Sequence, residues 1–109
     1  TRDFTEAFRK ADLLLTPVSP TVAFKLGTRT EDPMAMYMAD IFTVTSSLAA
    51  MPCISVPAGF SAPADDPGAL LPVGMQLIGP PLSDVSLLEC AHAFQLVTDH
   101  HRRRPPLRG

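Results

Sequence analysis

Val73-Gly74-Met75-Gln76-Leu77-Ile78 is the stretch on which the reading of the fold turns, and it is the strongest strand in the sequence. Side chains alternate across an extended chain, so Val73, Met75 and Leu77 share one face while Gly74, Gln76 and Ile78 share the other. Upstream, Cys53-Ile54-Ser55-Val56-Pro57 reads as a second, shorter strand bounded by prolines. Residues 59–71 between them carry glycine, proline and two aspartates, which marks an exposed connection. Its length is compatible with antiparallel pairing of the two strands. A third strand is expected at Leu13-Leu14-Leu15. Apolar on both faces, it suits a strand inside a sheet with helices above and below, and Thr16-Pro17 ends it. Pro17 to Thr21 then reads as a loop.

Helical periodicity fills the gaps. In residues 1–11, Phe4, Ala7, Phe8 and Ala11 recur at three- and four-residue spacing, with Asp3, Glu6, Arg9 and Lys10 opposite them. A second helix starts at Asp32-Pro33, because aspartate caps free first-turn amides and proline is pre-shaped for the first helical position. Met34, Met38, Ile41, Thr45 and Leu48 trace its buried stripe as far as Met51-Pro52. The β-branched run from Ile41 to Thr45 disfavours helix, so a strand there is the competing reading. A last helix spans Ser83 to Asp99, with Ser83 as N-cap, Asp84 in the first turn, and Leu87, Leu88, Ala91, Phe94 and Val97 as its buried stripe. From His100 onward the chain is charged and proline-rich, and a mobile tail is expected. The element order predicts an α/β fold with a thin mixed β-sheet flanked by helices. At least one sheet edge should be open, and an open apolar edge recruits a missing strand or a second copy.

The 109 residues suffice for one core, and 46% of them are apolar, the usual share for globular chains. Mean hydropathy is slightly positive, at +0.16, which fits apolar surface partly covered by something outside the chain. Twelve prolines, well above the ~5% average, keep regular elements short. No apolar run approaches the ~20 residues that span a bilayer, so a cytoplasmic location without membrane contact is expected. Two cysteines, Cys53 and Cys90, make neither a disulfide framework nor a C-x-x-C metal site. All 11 acidic residues precede Arg102, against five basic ones; Arg102, Arg103, Arg104 and Arg108 then form a basic end.

Few residues suggest chemistry. Ser46-Ser47 could offer a nucleophile, but no glycines surround it and it lies in a predicted helix, where small hydroxyls at a packing surface are the plainer reading. Cys90 and His92 stand two apart on a helix and point in different directions. His92, His100 and His101 have no carboxylate at ligand spacing, so no metal is expected. The six glycines build no phosphate-binding loop. The arginine run could meet RNA phosphates or simply be solvated. Asp40 shares a row with Pro33, Tyr37, Val44 and Ser47 beside the expected apolar stripe. A carboxylate at such a margin needs a cationic ligand group, an arginine from elsewhere, or water.

Five segments in order carry a resemblance to a known family. Asp12 to Thr21 with Ala23-Phe24-Lys25-Leu26-Gly27 is similar to a "D-hydrophobic-T/G-P-T-x-P-T…AF-x-x-G" stretch. DPMAMYMADIFT, residues 32–43, resembles "DPLxMYxxDxxT". PCISVP (52–57) and LPVGMQLIG (71–79) resemble "PgISVPxG" and "LPVGLQLIG", and the stretch from Ala91 to His101 resembles a closing "AHAYEQATDWH" helix. The family is that of amidase-signature enzymes, and the DPMAMYMAD segment resembles its tRNA-dependent amidotransferase A subunits. Departures occur at Thr45-Ser46-Ser47, where many relatives have Pro-x-Asn, and at Ala50 and Cys53, which replace glycines. The loop from Ser61 to Ala69 is also longer than in many relatives.

The resemblance implies that residues 1–101 are the C-terminal portion of an amidase domain and 102–109 a basic, proline-rich tail. It implies a parent subunit that releases ammonia from glutamine, which a partner uses with ATP and magnesium to convert Glu-tRNA(Gln) to Gln-tRNA(Gln). The implied partners are the B and C subunits, the remaining N-terminal part of the A subunit and, indirectly, tRNA. The family's triad of lysine, cis-serine and serine has no match here, since the only lysines are Lys10 and Lys25 and no Gly-Gly-Ser-Ser-Gly-Gly occurs. The segment by itself is therefore expected to be inactive, with no catalytic residue and no cofactor of its own. Asp40 matches the aspartate that binds the glutamine α-amino group. Another amidase-signature hydrolase acting on small amides, or a binding module using the basic end, are the rival readings.

Overall fold

The computed structural model describes residues 2–28 and 32–105. In chain order these form α1 (Arg2–Ala7), β1 (Leu14–Pro17), α2 (Pro33–Ala39), α3 (Ile41–Leu48), β2 (Cys53–Ser61), β3 (Leu71–Ile78) and α4 (Asp84–Leu96), with a 3-10 turn at His100–Arg102. The strands form one sheet in the order β1-β3-β2. Both pairings are antiparallel: Leu14 lies opposite Ile78, and Cys53 lies opposite Ile78 on the other side. The α/β class expected from the sequence holds, with helices on both faces of the sheet, but the sheet expected to be mixed is antiparallel throughout among the described residues.

Alternation along β3 sorts the core into two layers. On one face Leu77 joins Val56, Leu87 and Ala91, with Leu13, Ile54, Met75, Cys90 and Phe94 packed around them. This layer buries the inner side of α4. On the other face Ile78 meets Ala49 and Met51 after α3, backed by Phe4 and Phe8 of the N-terminal segment and by Leu14. The pattern read in Val73–Ile78 is thus the pattern of the core. Gly79 continues it, because a methyl group there would run into Ser83 Oγ and Leu87 as α4 crosses the end of β3.

Several expectations are corrected. The Leu13–Leu15 run is not an interior strand: β1 is an edge, continues through Thr16-Pro17, and leaves Leu15 64% exposed among the described residues. A proline is tolerated there because the outer side of an edge strand has no ladder to break. β2 extends beyond Pro57 to Ser61 through a register shift between Pro57 and Gly59, where Gly59 takes φ 148°. Such a bulge adds one residue and re-aims the strand. The segment 32–51 is not one helix but two, broken at Asp40, and Ile41 to Thr45 is helical despite its β-branching. The stripe Met34, Met38, Ile41 and Leu48 is exposed; Ser46 and Ala49 are the buried positions at this end. α4 ends at Leu96 rather than Asp99; Leu87 and Ala91 are buried as expected, whereas Leu88, and Val97 just past its end, are exposed. His100–Arg102 turns back onto β2 instead of trailing away: Phe60 faces the His100 ring at 6.3 Å, and the Arg103 guanidinium lies 5.5 Å above Phe60. Thr1 and, in the basic end, Arg108 lie outside the described residues.

The C-terminus of α3 shows how the chain turns into β2. Ala50 takes φ 56°, its amide donates to Ser47 O at 3.0 Å, and the Met51 amide donates to Ser46 O at 3.1 Å. This pair of bonds is a Schellman motif, in which the left-handed position usually belongs to glycine because a Cβ is strained there. Replacing Ala50 by Gly should therefore raise the unfolding free energy by about 1 kcal/mol. Urea denaturation followed by circular dichroism checks this, and an unchanged or lower midpoint would contradict it.

Candidate functional site

The site is built where α2 hands over to α3. Asp32 caps α2, its Oδ1 accepting from the Met34 and Ala35 amides at 3.0 and 3.1 Å, and Pro33 occupies the first turn. The helix lasts seven residues and stops at Asp40, whose backbone takes φ −102° and ψ 6°. Asp40 closes one helix and opens the next. Its amide donates to Tyr37 O at 3.2 Å, and its carbonyl accepts from the Thr43 and Val44 amides at 3.1 and 2.9 Å. Thr43 Oγ1 adds a third donor to the same carbonyl at 3.1 Å. The carboxylate makes no capping hydrogen bond and no ion pair among the described residues, and it is exposed. It is thus a fixed backbone position with an uncommitted negative charge. An arginine partner, one of the alternatives open in the sequence, is not found among the described residues.

Beside it runs a shallow groove lined by Phe4, Ala7, Leu14, Tyr37, Val44 and Leu48. Tyr37 and Val44, which the helical row placed with Asp40, both reach it; Asp40 itself is not part of its lining. The α2–α3 break turns the carboxylate off the apolar row.

The other candidates separate cleanly. Ser46 is fully buried, and Ser47 is exposed; each hydroxyl donates to Thr43 O at 3.0 Å. Ser46 Oγ in turn accepts from Gln76 Nε2 at 2.9 Å and lies 3.9 Å from the Cys53 thiol. Among the described residues, neither serine's hydrogen bonds reach a basic side chain of the kind a nucleophile needs. Cys90 packs against the core while His92, two residues on, is exposed, so no dyad forms. The His100 ring sits between Phe60 and Phe94, with Nδ1 buried and 3.9 Å from Asp99 Oδ1. Arg103 reaches Asp99 at 3.6 Å in an exposed ion pair. No group of three His, Cys, Asp or Glu side chains among the described residues could hold a metal ion. No described helix is long and apolar enough to cross a membrane.

Sequence reasoning missed the Ser46–Gln76 link. Its signal was present: Gln76 is a polar residue in the middle of an apolar strand, and a side chain in that position must have a partner.

With this arrangement established, comparison with known proteins identifies the class. The family model described as Amidase matches residues 1–88, and the chain belongs to the amidase family. Over 105 residues, 96% of the chain, it is 53% identical to the A subunit of the glutamyl-tRNA(Gln) amidotransferase of Desulforudis audaxviator. The proteins of that name from Moorella thermoacetica and Ralstonia nicotianae are 51% and 52% identical over 97% and 95% of the chain. The chain spans about a fifth of the length of these curated relatives, 20% in each case.

Since Asp32 alone starts the helix that ends at Asp40, Asp32→Ala should cost about 1 kcal/mol of stability. It should also speed hydrogen exchange at the Met34 to Tyr37 amides. Unchanged exchange in α2 would show that the cap is dispensable.

Proposed function

We propose that this chain is the part of a glutamine-hydrolysing amidotransferase A subunit that completes the glutamine pocket, with Asp40 as the group that binds the substrate's α-ammonium. In this reading the whole subunit releases ammonia from glutamine. Partner B and C subunits then use that ammonia, with ATP and magnesium, to convert Glu-tRNA(Gln) to Gln-tRNA(Gln). The observation that carries the reading is identity of 51–53% over nearly the whole chain to proteins named for that subunit. Triad chemistry, ATP and metal all lie outside this segment in the proposal, and the reaction is cytoplasmic.

The chemistry assigned to Asp40 suits its geometry. A free glutamine carries an ammonium and a carboxylate besides the amide that reacts, and a pocket can tell it from a protein-bound glutamine only by reading those charges. An uncommitted carboxylate on a backbone held by three donors is a ready partner for the ammonium, since charge-assisted hydrogen bonds are about twice as strong as neutral ones. Enclosure by the rest of the longer subunit would strengthen the attraction by excluding water. The outer sides of β1 and β2 offer backbone to further strands of that subunit or, in the isolated segment, to a second copy.

The test uses the full-length subunit in its complex. Asp40→Asn should raise the KM for glutamine at least about tenfold. Amidation of Glu-tRNA(Gln) driven by ammonium chloride should stay unchanged, because ammonia bypasses the glutamine pocket. An unaltered glutamine KM would remove Asp40 from the site. Complete loss of ammonia-driven activity would mean that the substitution damages more than substrate binding.

A further inference from the structure

Gln76 is 3% exposed and lies at the centre of the sheet, on the face that meets α3. Its Nε2 donates to Ser46 Oγ at 2.9 Å. Ser46 has no measurable exposure, and its single hydroxyl proton goes to Thr43 O at 3.0 Å, a far better acceptor than the Cys53 sulfur at 3.9 Å. Thr43 in turn donates both its amide and its Oγ1 to Asp40 O, each at 3.1 Å. One continuous run of hydrogen bonds therefore leads from the middle strand to the backbone of Asp40. Each bond in the run is directional, and the Ser46 hydroxyl serves as acceptor toward Gln76 and donor toward Thr43.

We propose that Ser46 and Gln76 are positioning residues for glutamine binding, setting the pose of the Asp40 carboxylate from the sheet through Thr43. The proposal rests on the reading of Asp40 as the ammonium-binding group. Its physical basis is that α3 is short, with eight residues, and that Ser46 is its one buried residue among the described ones, so little apolar packing within the helix fixes its rotation. The Ser46–Gln76 bond is the only side-chain hydrogen bond from α3 to β3 among the described residues. Without it the helix keeps Ala49 and Met51 against Ile78 at its C-terminal end, while the N-terminal end that carries Asp40 is free to rock. A displaced carboxylate weakens binding without touching the reacting amide, so the change falls on KM and leaves kcat in place.

The experiment compares Ser46→Ala, Gln76→Met and Asp40→Asn, singly and combined, in the full-length subunit within its complex. Ser46→Ala and Gln76→Met should each raise the KM for glutamine by about three- to tenfold, the worth of one hydrogen bond. The kcat and the ammonium-driven activity should be unchanged. Combining the two should cost no more than either alone, since they act through one bond, and adding Ser46→Ala to Asp40→Asn should cost nothing further. Gln76→Met keeps the length and flexibility of the side chain, which guards against loss of fold if the serine variant is unstable. The proposal is overturned if the KM does not move, if glutamine- and ammonium-driven activities fall in equal proportion, or if the Ser46 and Asp40 effects multiply independently. A raised KM in Asp40→Asn with none in Ser46→Ala would sink the positioning role alone. An unmoved KM in Asp40→Asn would sink the reading beneath it.

Discussion

An amide side chain at the centre of a buried strand has to be paired, because leaving its donors unmade in a dry setting costs about 1–3 kcal/mol. Gln76 occupies that position in β3, and Ser46 of α3 is what it finds. Apolar contact between a helix and a sheet is tolerant of sliding, since one methyl serves much like another. A hydrogen bond between two particular atoms is not. The pairing therefore specifies where along β3 the helix rests, and with it the groove beside α1 and the junction at Asp40.

Both faces of the sheet carry an apolar layer, but only the one toward α3 adds a row of polar side chains to it. Toward α4 the contacts are apolar, and the layer of Val56, Leu77, Leu87 and Ala91 serves as the main adhesive. Toward α3 the row across the strands is Thr16, Gln76 and Ser55, which the antiparallel registers place side by side. The α3 side thus combines apolar packing through Ile78 with a buried polar pairing at Gln76. Asp40, the residue proposed to bind the substrate ammonium, stands exposed at the start of α3 on that side.

Much of this was legible in the sequence, and the rest was hidden for identifiable reasons. Alternation in Val73–Ile78 reports both faces of β3 because a central strand is contacted above and below. Asp32-Pro33 marks a helix start because capping is local chemistry, and the structure shows the bonds. The three leucines at 13–15 misled because apolarity does not say what covers a residue, and β1 is an edge. The methionine stripe misled similarly: its 3.6-residue spacing is real, but the helix breaks at Asp40, which rotates the second half relative to the first. The docking of His100–Arg103 on Phe60 depends on stacking and cation–π contact between residues some forty positions apart, which no local pattern encodes. The candidate site was legible only through Asp40 and the family resemblance, since an exposed carboxylate has no signature of its own.

The strand order also has a bearing on how the chain assembles. β3, the middle strand, is the last of the three to occur in the sequence, and β1 precedes it by more than fifty residues. Within the described residues, β1 and β2 each pair only with residues 71–78, so this three-stranded sheet cannot form from its own earlier segments. Closing the β1–β3 loop imposes an entropic toll before any ladder bond rewards it, and topologies dominated by such distant pairings fold slowly. During synthesis the β3 side of β1 stays open until that strand is made. Between emergence of Leu14 and emergence of Ile78 the sheet has an unfilled middle position, and unpaired strand edges of that kind are prone to aggregation.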